Sequence, residues 1–176
     1  MTPFHFKEQL QSPRLKLVKI RMDLAQTMFD LIIKEKERLC TFLPWPKFIN
    51  ILDDEIKFVN DSLEKWNNKT CFTYNILLKD QSYLGNISVF NFNWEKGEAE
   101  IGYWLSSSSQ GKGLMSEAVK TIGNELRINK FKKLHIKTLA HNLRSQKVAL
   151  SCGFTDTQKT VIQNNESLKL YTKDLI

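Results

Sequence analysis

The chain has 176 residues, with 26 Lys and Arg against 19 Asp and Glu, a formal net charge of +7 at pH 7 and 41% hydrophobic residues. That composition suits a single domain spanning 1–176 with a core that needs no staples, and it excludes disordered, collagen-like and disulfide-rich chains. Cys40, Cys71 and Cys152 lie far apart without a CxxC, no apolar run approaches the ~20 residues that span a bilayer, and the first residues lack a signal-peptide pattern, so a soluble cytoplasmic protein with reduced thiols and no membrane partner is expected.

Arg14 to Ile20 alternates polar and apolar residues and predicts a half-buried strand. Asp23 is placed to cap a helix with the apolar stripe Leu24, Met28, Leu31, Ile32 and Leu39, which Leu43-Pro44-Trp45-Pro46 stops. A second helix is expected from about Asp53. It carries Ile56, Val59, Leu63 and Trp66 on one face and Asp53, Asp54 and Glu55 at its positive end. Cys71–Leu78, Tyr83–Phe92 and Glu98–Leu105 read as an antiparallel meander. In its third strand Ala99, Ile101, Tyr103 and Leu105 face one way, and Glu100, Gly102 and Trp104 the other.

The small-residue loop Ser106 to Gly113 then runs into a helix with Leu114, Ala118, Ile122 and Leu126 on its buried stripe. Lys133 to Leu139 is another alternating strand. Asn142 sits where an N-cap belongs, ahead of a short helix through Val148, Ala149 and Cys152 that ends at Gly153. Phe154–Gln163 and Leu168–Leu175 form a closing hairpin around Asn164-Asn165-Glu166-Ser167. A meander followed by a strand-loop-helix-strand unit makes a mixed α/β sheet.

The informative stretch is Gln110 to Met115. A glycine-rich loop that opens into a helix gathers unpaired backbone N–H groups at the positive end of the helix dipole, which is an anion site suited to phosphate or pyrophosphate. Gly111 and Gly113, lacking Cβ, admit close approach. Neither GxGxxG nor GxxxxGK[ST] is present, so dinucleotide-binding and Walker-type loops are not indicated. His5, His135 and His141 have no metal-ligand spacing, so no metal site is expected, and no GxSxG elbow marks a hydrolase. The lysines are spread along the whole chain, which predicts a solvated surface rather than a nucleic-acid-binding block.

Glu100-Ile101-Gly102-Tyr103-Trp104-Leu105, Gln110-Gly111-Lys112-Gly113-Leu114-Met115-Ser116-Glu117-Ala118, Asn142-Leu143-Arg144-Ser145 and Gly153-Phe154, in this order, resemble the GNAT acetyltransferases, and among them the ribosomal-protein N-acetyltransferases. The likeness covers nearly the whole chain. Its loop, Gln/Arg-x-x-Gly-x-Gly/Ala, is matched at Gln110 and Gly113 and departs at Met115. The resemblance implies an α/β fold with a mixed, largely antiparallel sheet splayed at an acetyl-CoA site and flanked by helices. It further implies that backbone amides of Gln110, Gly111, Lys112, Gly113, Leu114 and Met115 hold the pyrophosphate of acetyl-CoA. The Tyr103-Trp104-Leu105 edge pairs with the pantetheine like an added strand. Asn142 and Ser145 complete the coenzyme site, with Lys112 or Lys147 offered to the adenosine phosphate.

The resemblance also implies direct attack of a primary amine on the thioester. Ser145 is then the candidate for protonating the departing thiolate, and Glu100 the candidate general base in a partly closed cleft, with Glu166 near the final hairpin left open. The acceptor expected is a protein N-terminal α-amino group, and the +7 charge favours an acidic, ribosomal-type protein as partner. A homodimer is compatible with this reading; direct nucleic-acid binding is not part of it. A small-molecule amine acetyltransferase would share every motif, and a non-catalytic acyl-CoA- or nucleic-acid-binding module is the reading from another class.

Overall fold

The computed structural model describes residues 4–163 and 165–175. Among them are eight strands, β1 (Gln9–Gln11), β2 (Leu15–Lys19), β3 (Phe72–Leu78), β4 (Tyr83–Asn93), β5 (Glu98–Leu105), β6 (Lys133–Leu139), β7 (Thr155–Gln163) and β8 (Glu166–Asp174). Four helices accompany them: α1 (Ala25–Cys40), α2 (Leu52–Asn67), α3 (Leu114–Ile128) and α4 (Leu143–Ser151). The strands form one sheet in the order β1-β2-β3-β4-β5-β6-β8-β7, antiparallel throughout except where β5 runs parallel to β6. A parallel neighbour requires a crossover, and α3 supplies it.

The alternation of β5 sorts the two faces. Ala99, Ile101 and Leu105 pack into the main core with Leu114, Ala118, Ile122 and Leu126 of α3. Trp104, one residue out of phase, joins Ile32 and Leu39 of α1 and Ile49 on the opposite face. The same alternation in β3 and β4 sends Phe72, Tyr74, Ile76, Ile87 and Val89 into the main core. Their intervening residues meet across the strands as polar pairs. Thr73 opposes Ser88 with hydroxyls 2.9 Å apart, and Asn75 opposes Asn86, its Nδ2 donating to Oδ1 over 2.8 Å. The side of the meander that faces α1, away from the main core, thus carries buried polar pairs.

Local chemistry differs from the sequence reading at several points. Asp23 caps no helix. Met22–Leu24 form a single 3₁₀ turn ahead of α1, and the Asp23 carboxylate is taken by the guanidinium of Arg21 two residues before it. The residues ahead of β2, for which the sequence predicts no element, hold the short strand β1, and the final strand starts two residues earlier than expected, at Glu166. Within the closing turn, Asn164 lies outside the described residues. At the sheet's outer margins stand β1, with three residues, and β7, whose register against β8 shifts between Asp156 and Thr160 around Gln158 in the left-handed region. Inside the sheet, Gly85 carries φ +152°, and a Cβ there would lie 2.2 Å from the carbonyl oxygen of Trp104, so only glycine allows β4 to pack this close against β5.

α2 departs most from expectation. Asp54 does serve its N-terminus, accepting from the backbone N–H of Asn50 at 2.8 Å and of Ile51 at 3.0 Å. Glu55 does not belong with it. Its side chain turns inward with Val59, Ser62 and Trp66, the residue is 1% exposed, and among the described residues neither carboxylate oxygen has a hydrogen-bond partner. Burial pushes the Glu55 carboxyl up to about 7 from its ordinary 4.5. A carboxyl with raised proton affinity in the fold contributes its stability at low pH and loses it as pH rises through 7. Relative to Glu55→Gln, the wild-type protein is expected to lose about 3 kcal/mol of stability between pH 4.5 and pH 8, measured by urea unfolding at both pH values. Parallel curves for the two proteins would show that Glu55 ionises normally.

Candidate active site

The parallel pairing of β5 with β6 is short: Glu98 faces Lys133, Ala99 faces Leu134, Glu100 faces His135, and there it stops. Beyond that point β5 stays with β4 as far as Leu105, while β6 stays with β8 as far as Leu139. The two strands therefore diverge, and the backbone of Ile101 to Leu105 loses its neighbour on one side. A cavity of about 570 Å³ occupies the region, lined among others by Tyr103, Trp104, Asn142 and Ser145 and continuing beneath α2 and the Leu43–Trp45 segment. That size is in the range of small-molecule and cofactor pockets.

At the far end of β5 the chain turns through Ser107–Ser109 into the glycine loop. Glu35 of α1, buried and continuing that helix's apolar stripe, accepts from the Ser107 N–H at 3.0 Å and the Ser107 hydroxyl at 2.6 Å. Burial acts to raise the Glu35 proton affinity, but the Ser107 and Arg38 hydrogen bonds outweigh it and hold the carboxyl below its usual range. Arg38 bridges Glu35 to the Leu105 carbonyl, donating at 2.6 and 3.0 Å. From the other side Arg14 of the β1–β2 turn donates to the Lys112 carbonyl at 2.9 Å and to Glu117 at 2.6 Å. Gly113 then enters α3 at φ +72° with no side-chain cap, so the first-turn N–H groups of α3 face outward. Leu114 and Met115 bury their side chains in the core and offer only backbone to the loop. Gln110 is half-buried and its amide oxygen accepts from Arg144. Lys112 and Lys147 are both exposed. An uncapped helix start reached through a left-handed glycine, next to a strand edge without a neighbour, fits a phosphate-bearing, strand-like group.

Ser145 and Tyr103 meet at this edge. Their hydroxyls lie 3.1 Å apart, and the Tyr103 hydroxyl also reaches the Ser145 carbonyl at 3.3 Å. Asn142 caps α4 by accepting from the Ser145 N–H at 3.2 Å, which fixes where the serine points. Burial pushes the Tyr103 phenol above its ordinary range, with the Ser145 bond opposing, so the phenol stays protonated at neutral pH.

Glu100 is buried on the same cavity wall. Its Oε2 accepts from Lys137 of β6 at 2.8 Å and from Asn91 at 3.0 Å. Glu166 borders the cavity as an exposed residue, and Trp45 stands against Trp104 with ring centroids 6.0 Å apart. Trp66 is core, packed on Phe72 and Tyr74. The histidines stay apart: His135 lies 3.4 Å from Glu98, His141 is exposed and 3.4 Å from the Thr41 carbonyl, and the His5 N–H donates to Asn129. Among the described residues no three His, Cys, Asp or Glu side chains gather as a metal site, and no helix is long and apolar enough to cross a membrane.

Of the expected site residues, Glu100, Tyr103, Trp104, Asn142 and Ser145 line the cavity, whereas Leu105 and Gln110–Met115 do not border it and lie at and beyond the end of β5; three further residues of the region carry no expectation as site residues. Glu35 and Glu55 sit on the buried stripes of their helices, at positions 28, 32, 35, 39 and 55, 59, 62, 66, and that spacing was the available signal. Arg14 carried none, because its partners lie about a hundred residues away.

Comparison with known proteins agrees with this geometry. The model of the acetyltransferase (GNAT) domain matches residues 14–155. The ribosomal-protein-serine acetyltransferase of Escherichia coli (strain K12) is 29% identical over 144 residues, covering 81% of this chain and 80% of that protein. Among solved structures, the microcin C7 self-immunity acetyltransferase MccE in complex with acetyl-CoA and AMP is 27% identical, with a TM-score of 0.85 over 93% of each chain. RimL, a ribosomal L7/L12 α-N-protein acetyltransferase in complex with coenzyme A, shares the fold with a TM-score of 0.87 at 23% identity, over 95% of this chain and 98% of its own. The splayed sheet, the open start of α3 and a family match over most of the chain lead to one assignment: the chain belongs to the acetyltransferase (GNAT) family, whose members take the acetyl group from acetyl-CoA.

Proposed function

We propose that the protein acetylates the α-amino group of a protein N-terminus, of the ribosomal-protein type, by direct attack of the amine on the thioester. The observation that carries this reading is the divergence of β5 and β6 beside the Tyr103–Ser145 hydroxyl pair. The free β5 edge at Tyr103, Trp104 and Leu105 pairs with the pantetheine amides, although the Leu105 carbonyl already accepts from Arg38. Backbone N–H groups between Gln110 and Met115 hold the pyrophosphate, and exposed Lys112 stands by the loop for the adenosine phosphate. Asn142 and Ser145 close the thioester end.

Forming the N–C bond and breaking the C–S bond requires a proton to leave the amine and one to reach the sulfur. Glu100, held in the cavity wall by Lys137 and Asn91, is assigned the first, directly or through a water; the Ser145 hydroxyl, backed by Tyr103, is assigned the second. An α-amine suits this chemistry because its reference pKa of ~7.7–8.0 leaves a useful neutral fraction at physiological pH, unlike a lysine at ~10.4. Sequence kinship with the E. coli ribosomal-protein-serine acetyltransferase supports the acceptor class, and the +7 charge supports an acidic one. The likeness to MccE, seen with AMP as well as acetyl-CoA, favours a second reading, a small-molecule amine as acceptor.

Saturating acetyl-CoA, at 100 times its Kd, is expected to stabilise the protein by ~2.7 kcal/mol in thermal unfolding, with ATP and NAD producing no comparable shift. Glu100→Gln and Ser145→Ala are each expected to lower kcat by about 10²-fold or more while leaving the KM for acetyl-CoA within a few-fold of wild type. Mass spectrometry of an acceptor panel decides between the two readings: acetylation of polyamines and never of peptide N-termini would overturn the protein-acceptor assignment.

A further inference from the structure

The α2 wall of the cavity holds one carboxylate that neither the fold nor the proposed reaction uses. Glu55 borders the cavity, is 1% exposed, and has no partner on either oxygen among the described residues. Buried polar groups are almost always hydrogen-bonded, and an unpaired buried carboxylate is among the most unfavourable exceptions.

Among the described residues, the surrounding elements supply no cation to it. On α1, Lys36 is spent on the Ile49 carbonyl and Asn50, and Arg38 on Glu35 and Leu105. On β4, the Tyr83 hydroxyl donates to Asn86. Across the cavity, Lys137 of β6 is paired with Glu100 of β5, so that wall is locally neutral. Lys65 and Cys71 line the cavity farther along, and burial alone accounts for the raised Glu55 proton affinity, with no contribution from a nearby charge. The approach is apolar: Phe48 and Phe58 line the same cavity and are 66% and 39% exposed.

We propose that Glu55 receives the cationic amine of the acceptor, its ammonium group entering the cavity past Phe48 and Phe58 to supply the donor that the protein withholds. This rests on the acetyl-transfer reading and names its recognition element: a primary ammonium flanked by an apolar segment, selected over neutral look-alikes by a single buried carboxylate. Near neutral pH the group sheds its own proton to solvent as the ammonium arrives, so the two charges are buried as a pair. The bound ammonium gives one proton to Glu100 to become the attacking neutral amine, and the second proton lost from nitrogen as the N–C bond forms balances the one that the Ser145 hydroxyl delivers to the departing sulfur.

The test uses the full chain, acetyl-CoA, and peptides with a free N-terminal serine or alanine together with their desamino counterparts as dead-end inhibitors. Glu55→Gln is expected to raise the acceptor KM roughly tenfold or more, with the KM for acetyl-CoA unchanged. The wild-type protein is expected to bind the amino peptide more tightly than the desamino one, a preference that Glu55→Gln abolishes and Glu55→Asp partly restores. A retained acetyl-CoA thermal shift in Glu55→Gln shows that the variant is folded. An unchanged acceptor KM, or a preference for the amino peptide that survives in Glu55→Gln, overturns the proposal while leaving the acetyl-transfer reading intact. So does a fall in kcat with KM unchanged, which would make Glu55 the proton acceptor instead. Failure of the wild-type protein to acetylate any peptide overturns the acceptor reading and this proposal with it.

Discussion

Everything at the site depends on β5 and β6 parting after Glu100 and His135. A sheet ordinarily satisfies its central backbone groups by pairing on both sides, and buried backbone groups are rarely left without partners. Here each of the two strands keeps one neighbour, β4 or β8, and the edges that face each other are left without one. The crossover that makes β5 and β6 parallel is α3, so its N-terminus opens just past the end of β5. A strand edge that lacks a partner and a helix end that lacks a cap are thus produced by one topological event. They suit the two halves of a coenzyme that has amides along its arm and phosphates at its end.

The loop between them is held from both faces of the sheet. Glu35 and Arg38 of α1 grip Ser107 and Leu105, while Arg14 grips Lys112 and Glu117. Glu35 accepts from Ser107 directly, while Glu117 holds the Arg14 side chain that reaches Lys112, and both carboxylates stay ionised because hydrogen bonds outweigh their burial. A loop fixed in this way has little conformational freedom left to lose on binding, and such preorganisation is the usual route from modest contacts to useful affinity.

Most of the fold was legible in the sequence because it rests on short-range periodicity. The alternation of 71–78, 83–92, 98–105 and 133–139 and the stripe Leu114, Ala118, Ile122, Leu126 translate directly into β3 to β6 and α3. Asn142 and Gly153 punctuate α4 as local rules require. What escaped was decided by competition or by distance. Asp23 was lost as a cap because Arg21, two residues away, is a stronger partner than a backbone N–H. β1 is too short for any period to register. Glu55 was grouped with Asp53 and Asp54 on charge alone, although its place in the 55, 59, 62, 66 series puts it inside. Of the site residues, Gln110 to Met115 and Asn142 announce themselves by motif. The Tyr103–Ser145 contact joins residues 42 apart and belongs to the tertiary fold.

The margins of the sheet give its central gap a further meaning. Unpaired strands are adhesive, and an eight-stranded sheet has two outer edges at which another chain could add itself. One of these is only three residues long, and the other is kinked between Asp156 and Thr160, with Lys159 and a left-handed Gln158 breaking its run. Neither offers a flat template of useful length. Among the described residues, the longer free stretches of backbone are therefore internal, along β5 and the facing part of β6 beside the cavity. The fold makes its strand-pairing capacity private: closed to neighbouring chains that would aggregate with it, and open to a guest slim enough to thread between two strands.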